Sequence, residues 1–366
     1  MSIINSPWPG AVIALVGFAA AFVVSGLVAW AGPIDPPTAR GAHGRPTPTS
    51  GGVAIMGAVG LGLVFVAIFG HAHPDLLPKT FGGRTAMMKV AATLALALVM
   101  GAIGALDDLL DLGAGTKLLL QAALALVFAT FVAQVETLPL GLGLNLPLGP
   151  IIGILGVALW IVVATNAVNF MDGANGLAPG AQVVMFIALM GAAFVHHPIL
   201  AETAALACSA CAGFLPWNVR GRLFQGDAGA LFCGFLYAAL SILLTTRPEV
   251  SDEPAASLYF GPLVLLPFLT DVLLTLAVRA RRGQSLLQAH RDHLYQLWLR
   301  QAKRPTHVDL AWRIMLIIGG YGGLALWMLS LAPRDQPLVF AFAVVFSTLS
   351  WIVLRRRLER EFTPPG

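Results

Sequence analysis

LALALVMGAIGALDDLLDLGAGTKLLLQAALALVF, residues 94–128, sets two apolar runs around one acidic, glycine-bearing joint. Ala and Leu are strong helix formers. Each run is too apolar for the surface of a soluble protein, and the joint between them holds Asp107, Asp108 and Asp111. The pattern predicts two membrane helices meeting at a polar end. The rest of the chain repeats it. Apolar stretches lie near 10–31, 52–70, 87–106, 117–134, 148–165, 179–195, 200–215, 229–246, 257–278, 311–331 and 336–354. Their connections are short and rich in Gly, Pro and charge. The expectation is an all-α polytopic membrane protein with about eleven transmembrane helices.

Composition agrees. Of 366 residues, 57% are hydrophobic and 11% charged, against about 25% charged in soluble domains. This excludes an ordinary soluble globule, a disordered chain and a nucleic-acid binder. Three cysteines leave no disulfide framework. Cys208 and Cys211 read as small packing residues of an apolar helix. No Lys or Arg precedes Arg40, so the basic region of a cleaved signal is missing and the first stretch reads as a retained span.

Basic residues set the expected orientation. With the N-terminus outside, 17 of the 22 fall inside, among them the terminal Arg355, Arg356, Arg357 and Arg360. Lys79, Arg84, Lys89, Arg247 and Arg334 fall outside. The same map gathers Asp107, Asp108, Asp111, Asp172, Asp227 and Asp292 on the inside, at helix ends. Acids near a membrane core are costly, so a cluster needs a cation or a function.

Five motifs can carry chemistry, and each has a plainer reading. GALDDLLD, 104–111, offers hard oxygen ligands suited to Mg²⁺, or a solvated helix cap. NAVNFMDGANGL, 166–177, places Asn166, Asn169, Asp172 and Asn175 with glycines that permit close ligand approach, or forms an Asx-rich turn. FQGDAG, 224–229, puts Asp227 at a helix start, as metal ligand beside a phosphate or as N-cap. HRDHLYQ, 290–296, sets His290 and His293 on one helical face beside Arg291, a cluster fit for a diphosphate. Otherwise it is juxtamembrane charge against anionic lipid. RPTPTSGG, 45–52, brings Arg45 to a phosphate or is a connector. Asp271, the lone acid well inside a span, faces the site or pairs with an inner-loop arginine.

Taken in order along the chain, these five motifs resemble the polyprenyl-phosphate N-acetylhexosamine-1-phosphate transferase family, over about Arg40 to Gln296. FLPWN at 214–218, followed by RLFQGDAG, and HRDHLYQ look most like the branch that initiates O-antigen and related polysaccharides in lipopolysaccharide biosynthesis. The resemblance implies one integral-membrane transferase domain, 1–366. Its site would be built from cytoplasmic loops near 35–52, 106–116, 166–178, 216–228 and 279–310, in a bacterial inner membrane. The implied reaction moves a sugar-1-phosphate from a UDP-N-acetylhexosamine to undecaprenyl phosphate, releasing UMP, with Mg²⁺ or Mn²⁺. It further implies catalytic roles for Asp107, Asp108, Asp172, His290 and His293. Asp227 would hold the metal with Asp108 or Asp172, and Arg45, Asn166, Asn169, Asn175 and Arg291 would bind substrate. The family commonly reads DGxDGL, whereas this chain has Asn175 at the second acid, which changes the groups facing the base. Small-residue faces would allow a homodimer. The rival from another class is a secondary transporter with ion-coupling acids. The acids sit at one face and inverted repeats are not apparent, which count against it.

Overall fold

The computed structural model describes residues 8–32, 34–35, 47–72, 83–246, 257–286, 288, 290–301 and 306–362. Arg45 lies outside them. Helices dominate: α1 (Trp8–Ala31), α2 (Gly51–Ala72), α3 (Gly83–Leu110), α4 (Ala114–Phe131), α5 (Gly149–Phe170), α6 (Leu177–Ala193), α7 (Pro198–Val219), α8 (Gly226–Leu243), α9 (Phe260–Arg281), α10 (Leu294–Leu299), α11 (His307–Leu329) and α12 (Gln336–Phe362). All but the six-residue α10 match an expected apolar stretch. Nine are long and apolar enough to cross a membrane among the described residues; α6 is shorter, as is the apolar stretch Gly51–Gly62 of α2. Sheet is confined, among the described residues, to two antiparallel pairs. They are β1 (Ile34–Asp35) with β2 (Thr47–Pro48), and β3 (Thr137–Gly141) with β4 (Leu144–Pro147).

The helices overrun the apolar stretches where function is concentrated. The third was expected to stop near 106 but continues to Leu110, so Asp107 and Asp108 are helical. The fifth passes 165 to Phe170 and takes in Asn166 and Asn169. The eighth starts at Gly226, and the last runs to Phe362 through its arginines. Hydropathy ends at the first charge. A helix ends where its backbone hydrogen bonds do, and a polar side chain facing a partner does not break them.

The core is built around α8, whose residues from Ala228 to Leu243 are all buried. Small residues let its neighbours approach closely. A Cβ on Gly52 would lie 2.1 Å from the Gly229 nitrogen, and one on Gly104 would lie 2.4 Å from the Asp227 carbonyl oxygen. One on Gly234 would meet the Thr165 Cα at 2.9 Å. Glycines thus draw α2, α3 and α5 onto α8. The outer helices expose their apolar faces instead, as Leu119 on α4 and Phe342 on α12 show, which suits a lipid surround. Through this packing the ends of α3 and α5 and the starts of α4 and α8 meet at one place.

Candidate active site

Asp107, Asp227 and Lys117 form the centre. The Lys117 ammonium donates to Asp107 Oδ2 at 2.8 Å and to the Asp227 carboxylate. All three are largely buried. On the other side of Asp227, Asn169 Nδ2 donates to Oδ1 at 2.9 Å. Asp108 is used differently. Its Oδ1 accepts from the backbone N–H of Asp227 at 3.2 Å and its Oδ2 from that of Ala228 at 3.3 Å. It is an N-terminal cap for α8 supplied by another helix, and its charge suits the positive end of the helix dipole. Gly226 permits this. Its φ is +67°, and a Cβ there would sit 2.4 Å from the Thr49 carbonyl oxygen and 2.7 Å from Asp108 Oδ2.

A cavity of about 470 Å³ opens beside this centre, lined among others by Asn169, Asp172, Asn175, Asp227, Arg291 and Tyr295. Asp172 lies two residues past the end of α5 and makes no side-chain hydrogen bond among the described residues. Burial, with the charges of Asp227 and Asp108, pushes its carboxyl up to about 8. Tyr295, on α10, closes the opposite wall. Its hydroxyl donates to the Phe170 carbonyl at 3.2 Å and accepts from Gln296 Nε2 at 3.1 Å. Burial, then the nearby Asp172, pushes that hydroxyl's pKa up. Gly173 has to be glycine, since a Cβ there would fall 2.0 Å from the Tyr295 oxygen.

The DGANG turn is tied down by two side chains that sequence reasoning did not single out. Asn218 Oδ1 accepts the Gly176 N–H at 2.6 Å, and His307 Nδ1 accepts that of Asn175 at 3.2 Å. Gly176, with φ +79°, supplies the left-handed residue that starts α6. Asn218, His307 and Arg300 also line the cavity.

The expected site residues divide into two groups. Asp107, Asp108, Asn169, Asp172, Asn175, Asp227 and Arg291 converge at the cavity or at its Lys117 edge. Asn166 does not line the cavity: it donates to Gln121 Oε1 at 2.6 Å, one turn deeper. His290 and His293 stand behind the wall rather than in it. His293 is 3% exposed, with its ring against Phe170, Tyr295 and His290. Burial lowers both imidazoles to about 4, so both are neutral at neutral pH. Sequence reasoning counted Lys117 only among the inner basic residues. Its signal was there: it opens an apolar run six residues past DDLLD.

The donor set fits Mg²⁺, which takes oxygen ligands and is held through one or two carboxylates plus substrate phosphates and water. Asp227 and Asp172 both face the cavity, and the unpartnered Asp172 carboxyl is the group a cation would hold ionised. Among the described residues no three His, Cys, Asp or Glu side chains group closely enough to hold an ion. With its oxygens turned to the α8 amides, Asp108 does not join the other two.

Residues 90–245 match the family model described as glycosyl transferase family 4. The chain is 30% identical to a decaprenyl-phosphate N-acetylglucosaminephosphotransferase of Mycobacterium tuberculosis (strain CDC 1551 / Oshkosh), over 96% of this chain and 91% of that one. It is 29% identical to the protein of that name from Mycobacterium leprae (strain TN), over 88% and 83%. It is also 32% identical to a phospho-N-acetylmuramoyl-pentapeptide-transferase of Arthrobacter sp. (strain FB24), over 59% and 68%.

Proposed function

The chain belongs to the glycosyl transferase family 4 of polyprenyl-phosphate hexosamine-1-phosphate transferases, and from that premise we propose that it moves N-acetylglucosamine-1-phosphate from UDP-N-acetylglucosamine to undecaprenyl phosphate. It is a multi-pass membrane phosphotransferase acting on polyprenyl phosphate. The proposal adds the donor, the acceptor's length and the side of the membrane. N-acetylglucosamine is favoured because the relatives matched over nearly the whole chain carry that sugar in their names. The basic bias of the connections favours a site on the cytoplasmic face of the plasma membrane. The product would begin a cell-envelope polysaccharide such as O-antigen.

One observation carries the reading: Lys117 joins Asp107 to Asp227, bringing two motifs 120 residues apart to the rim of a single cavity. In the reaction an acceptor phosphate oxygen attacks the sugar-bearing phosphorus. The bond from that phosphorus to the bridging oxygen breaks, and UMP leaves. Such transfers need positioning and charge neutralisation more than covalent chemistry. Asp227 and Asp172 would hold a divalent cation that, when bound, offsets phosphoryl charge. Asn169 and Lys117 fix the Asp227 carboxylate, and Arg291 and Arg300 face the diphosphate from the opposite wall. Asp107 orients the acceptor phosphate. A phosphomonoester with a second pKa near 6 is mostly dianionic at neutral pH, so Asp107 need not act as a strong base. The neutral His290 and His293 would back the wall that carries Arg291 and Tyr295 rather than act on the diphosphate as cations.

The test is turnover by detergent-purified protein with Mg²⁺, undecaprenyl phosphate and a panel of UDP-N-acetylhexosamines. UMP release and lipid mass are followed together. A lipid diphosphate carrying N-acetylglucosamine is the expected product. Product from another sugar would move the donor assignment, and none from any donor would refute the reading.

A further inference from the structure

Asp271 sits mid-helix in α9, 4% exposed, and among the described residues forms no ion pair with an inner-loop arginine and does not line the cavity, the two outcomes its sequence position left open. Its carboxylate accepts the Leu294 backbone N–H through both oxygens, at 3.0 and 3.1 Å. It also takes the Trp351 indole N–H at 2.9 Å and the Thr275 hydroxyl at 3.3 Å. Trp351 belongs to α12. One turn on, Arg355, 5% exposed, donates to the Asp292 carbonyl at 3.1 Å and to Glu359 at 3.0 Å. Arg355 also lies over the Trp351 ring at 5.1 Å. Arg279 of α9 donates to the Asp292 carboxylate and to the Ser285 carbonyl at 2.8 Å. Buried charges on two helices therefore hold the backbone at Ser285, Asp292 and Leu294. Between and beside these anchors lie Arg291 and Tyr295, which line the cavity.

We propose that Asp271, Trp351 and Arg355 are positioning residues for the substrate wall. They form a clamp by which α12, none of whose residues lines the cavity, sets where Arg291 and Tyr295 stand. Buried charges held by several hydrogen bonds suit this task, because they tolerate few alternative arrangements. The indole N–H satisfies the Asp271 carboxylate, and the Arg355 guanidinium satisfies the Asp292 carbonyl. The clamp rests on the proposed transfer reaction only for its kinetic consequence; its mechanical part can be read without turnover.

The experiment uses the full-length protein in detergent and two readouts. Amide exchange reads the clamp directly: in Asp271→Asn the Leu294 amide should exchange about tenfold faster. Unchanged exchange there overturns the proposal. Kinetics read its purpose. Trp351→Phe should raise the KM for UDP-N-acetylglucosamine roughly tenfold with kcat within about twofold. In an Arg291→Ala background the same change should add little, because residues acting through one another are not additive. Full multiplication of the two losses, or an unchanged KM in Trp351→Phe, overturns it. Should Trp351→Phe fail to fold, Arg355→Lys, which keeps charge and loses the fork, is judged by the same criteria. Absence of turnover in the unaltered protein would refute the transfer reading itself and leave the exchange result to decide the clamp.

Discussion

Lys117 stands 2.8 Å from Asp107 across a helix joint only three residues long. The same ammonium reaches Asp227 on a third helix. A single cation thus keeps two mutually repelling carboxylates at one rim. Removing one partner from such a buried group leaves an uncompensated charge. Lys117→Met is expected to cut kcat by about 10²–10³, the scale for losing one preorganised donor. Lys117→Arg should not restore it, because a planar fork cannot replace a point charge between two carboxylates. UMP release by folded, monodisperse protein checks both.

Asp108 and Asp227 are adjacent in space but do different work, so their amides should differ in effect. Asp108→Asn weakens a cap and lets the α8 start shift. The expected result is a kcat loss of about 10- to 100-fold with the half-saturating Mg²⁺ within about twofold. Asp227→Asn should abolish turnover at any Mg²⁺ level. A Mg²⁺ titration of the two variants separates cap from ligand, and a large shift for Asp108→Asn would make it a ligand.

Gly173→Ala should be inactive, because its methyl would overlap the Tyr295 hydroxyl at 2.0 Å. Overpacking of this kind costs about 1–3 kcal/mol. The Tyr295→Phe change removes that oxygen and leaves the nearest ring carbon at 3.0 Å. The double variant should therefore melt higher than Gly173→Ala alone, as thermal unfolding in detergent will show.

His290 and His293 have folded-state pKa values of about 4, below the ordinary value near 6.5. The unfolded chain therefore binds more protons between pH 6.5 and 4, and stability rises with pH through that window. Their contribution is complete above about pH 6.5 and lost as pH falls through 4. The melting temperature should decline between pH 6.5 and 4.5, and His290→Gln/His293→Gln should decline less. An equal decline in both proteins would show that these imidazoles do not control it.

Much of the architecture was legible in the chain. The eleven apolar stretches each correspond to a helix, because membrane helices advertise themselves by length and apolarity. Asp107, Asp108, Asn169, Asp172, Asn175, Asp227 and Arg291 gather at one place, whereas Asn166, His290 and His293 stand off the cavity. What could not be read was how each polar group is spent. Asn166 and Asn169 lie one turn apart in identical surroundings on paper, yet one serves Gln121 inside the bundle and the other Asp227 at the cavity. Asp107 and Asp108 differ likewise, one held by an ammonium and the other by amides. Such choices depend on which helix crosses above, and a crossing leaves no periodic trace. Lys117 was hidden in the basic count for the same reason. The β3–β4 hairpin went unseen because TLPLGLGLNLP offers Leu alternation among glycines and prolines too short to register as strands.

The glycine crossings at 52, 104 and 229 set an anvil behind Asp227, outside the lining of the reaction chamber. Backbone touches backbone there, and no side chain can be exchanged to reshape it. Adaptation to a new sugar must therefore come from the facing flank, where Arg291, Gln296, Arg300 and His307 hang from segments outside the packed centre. In this architecture the chemistry is cast into the immovable half, and selectivity is left to the half that evolution can retool.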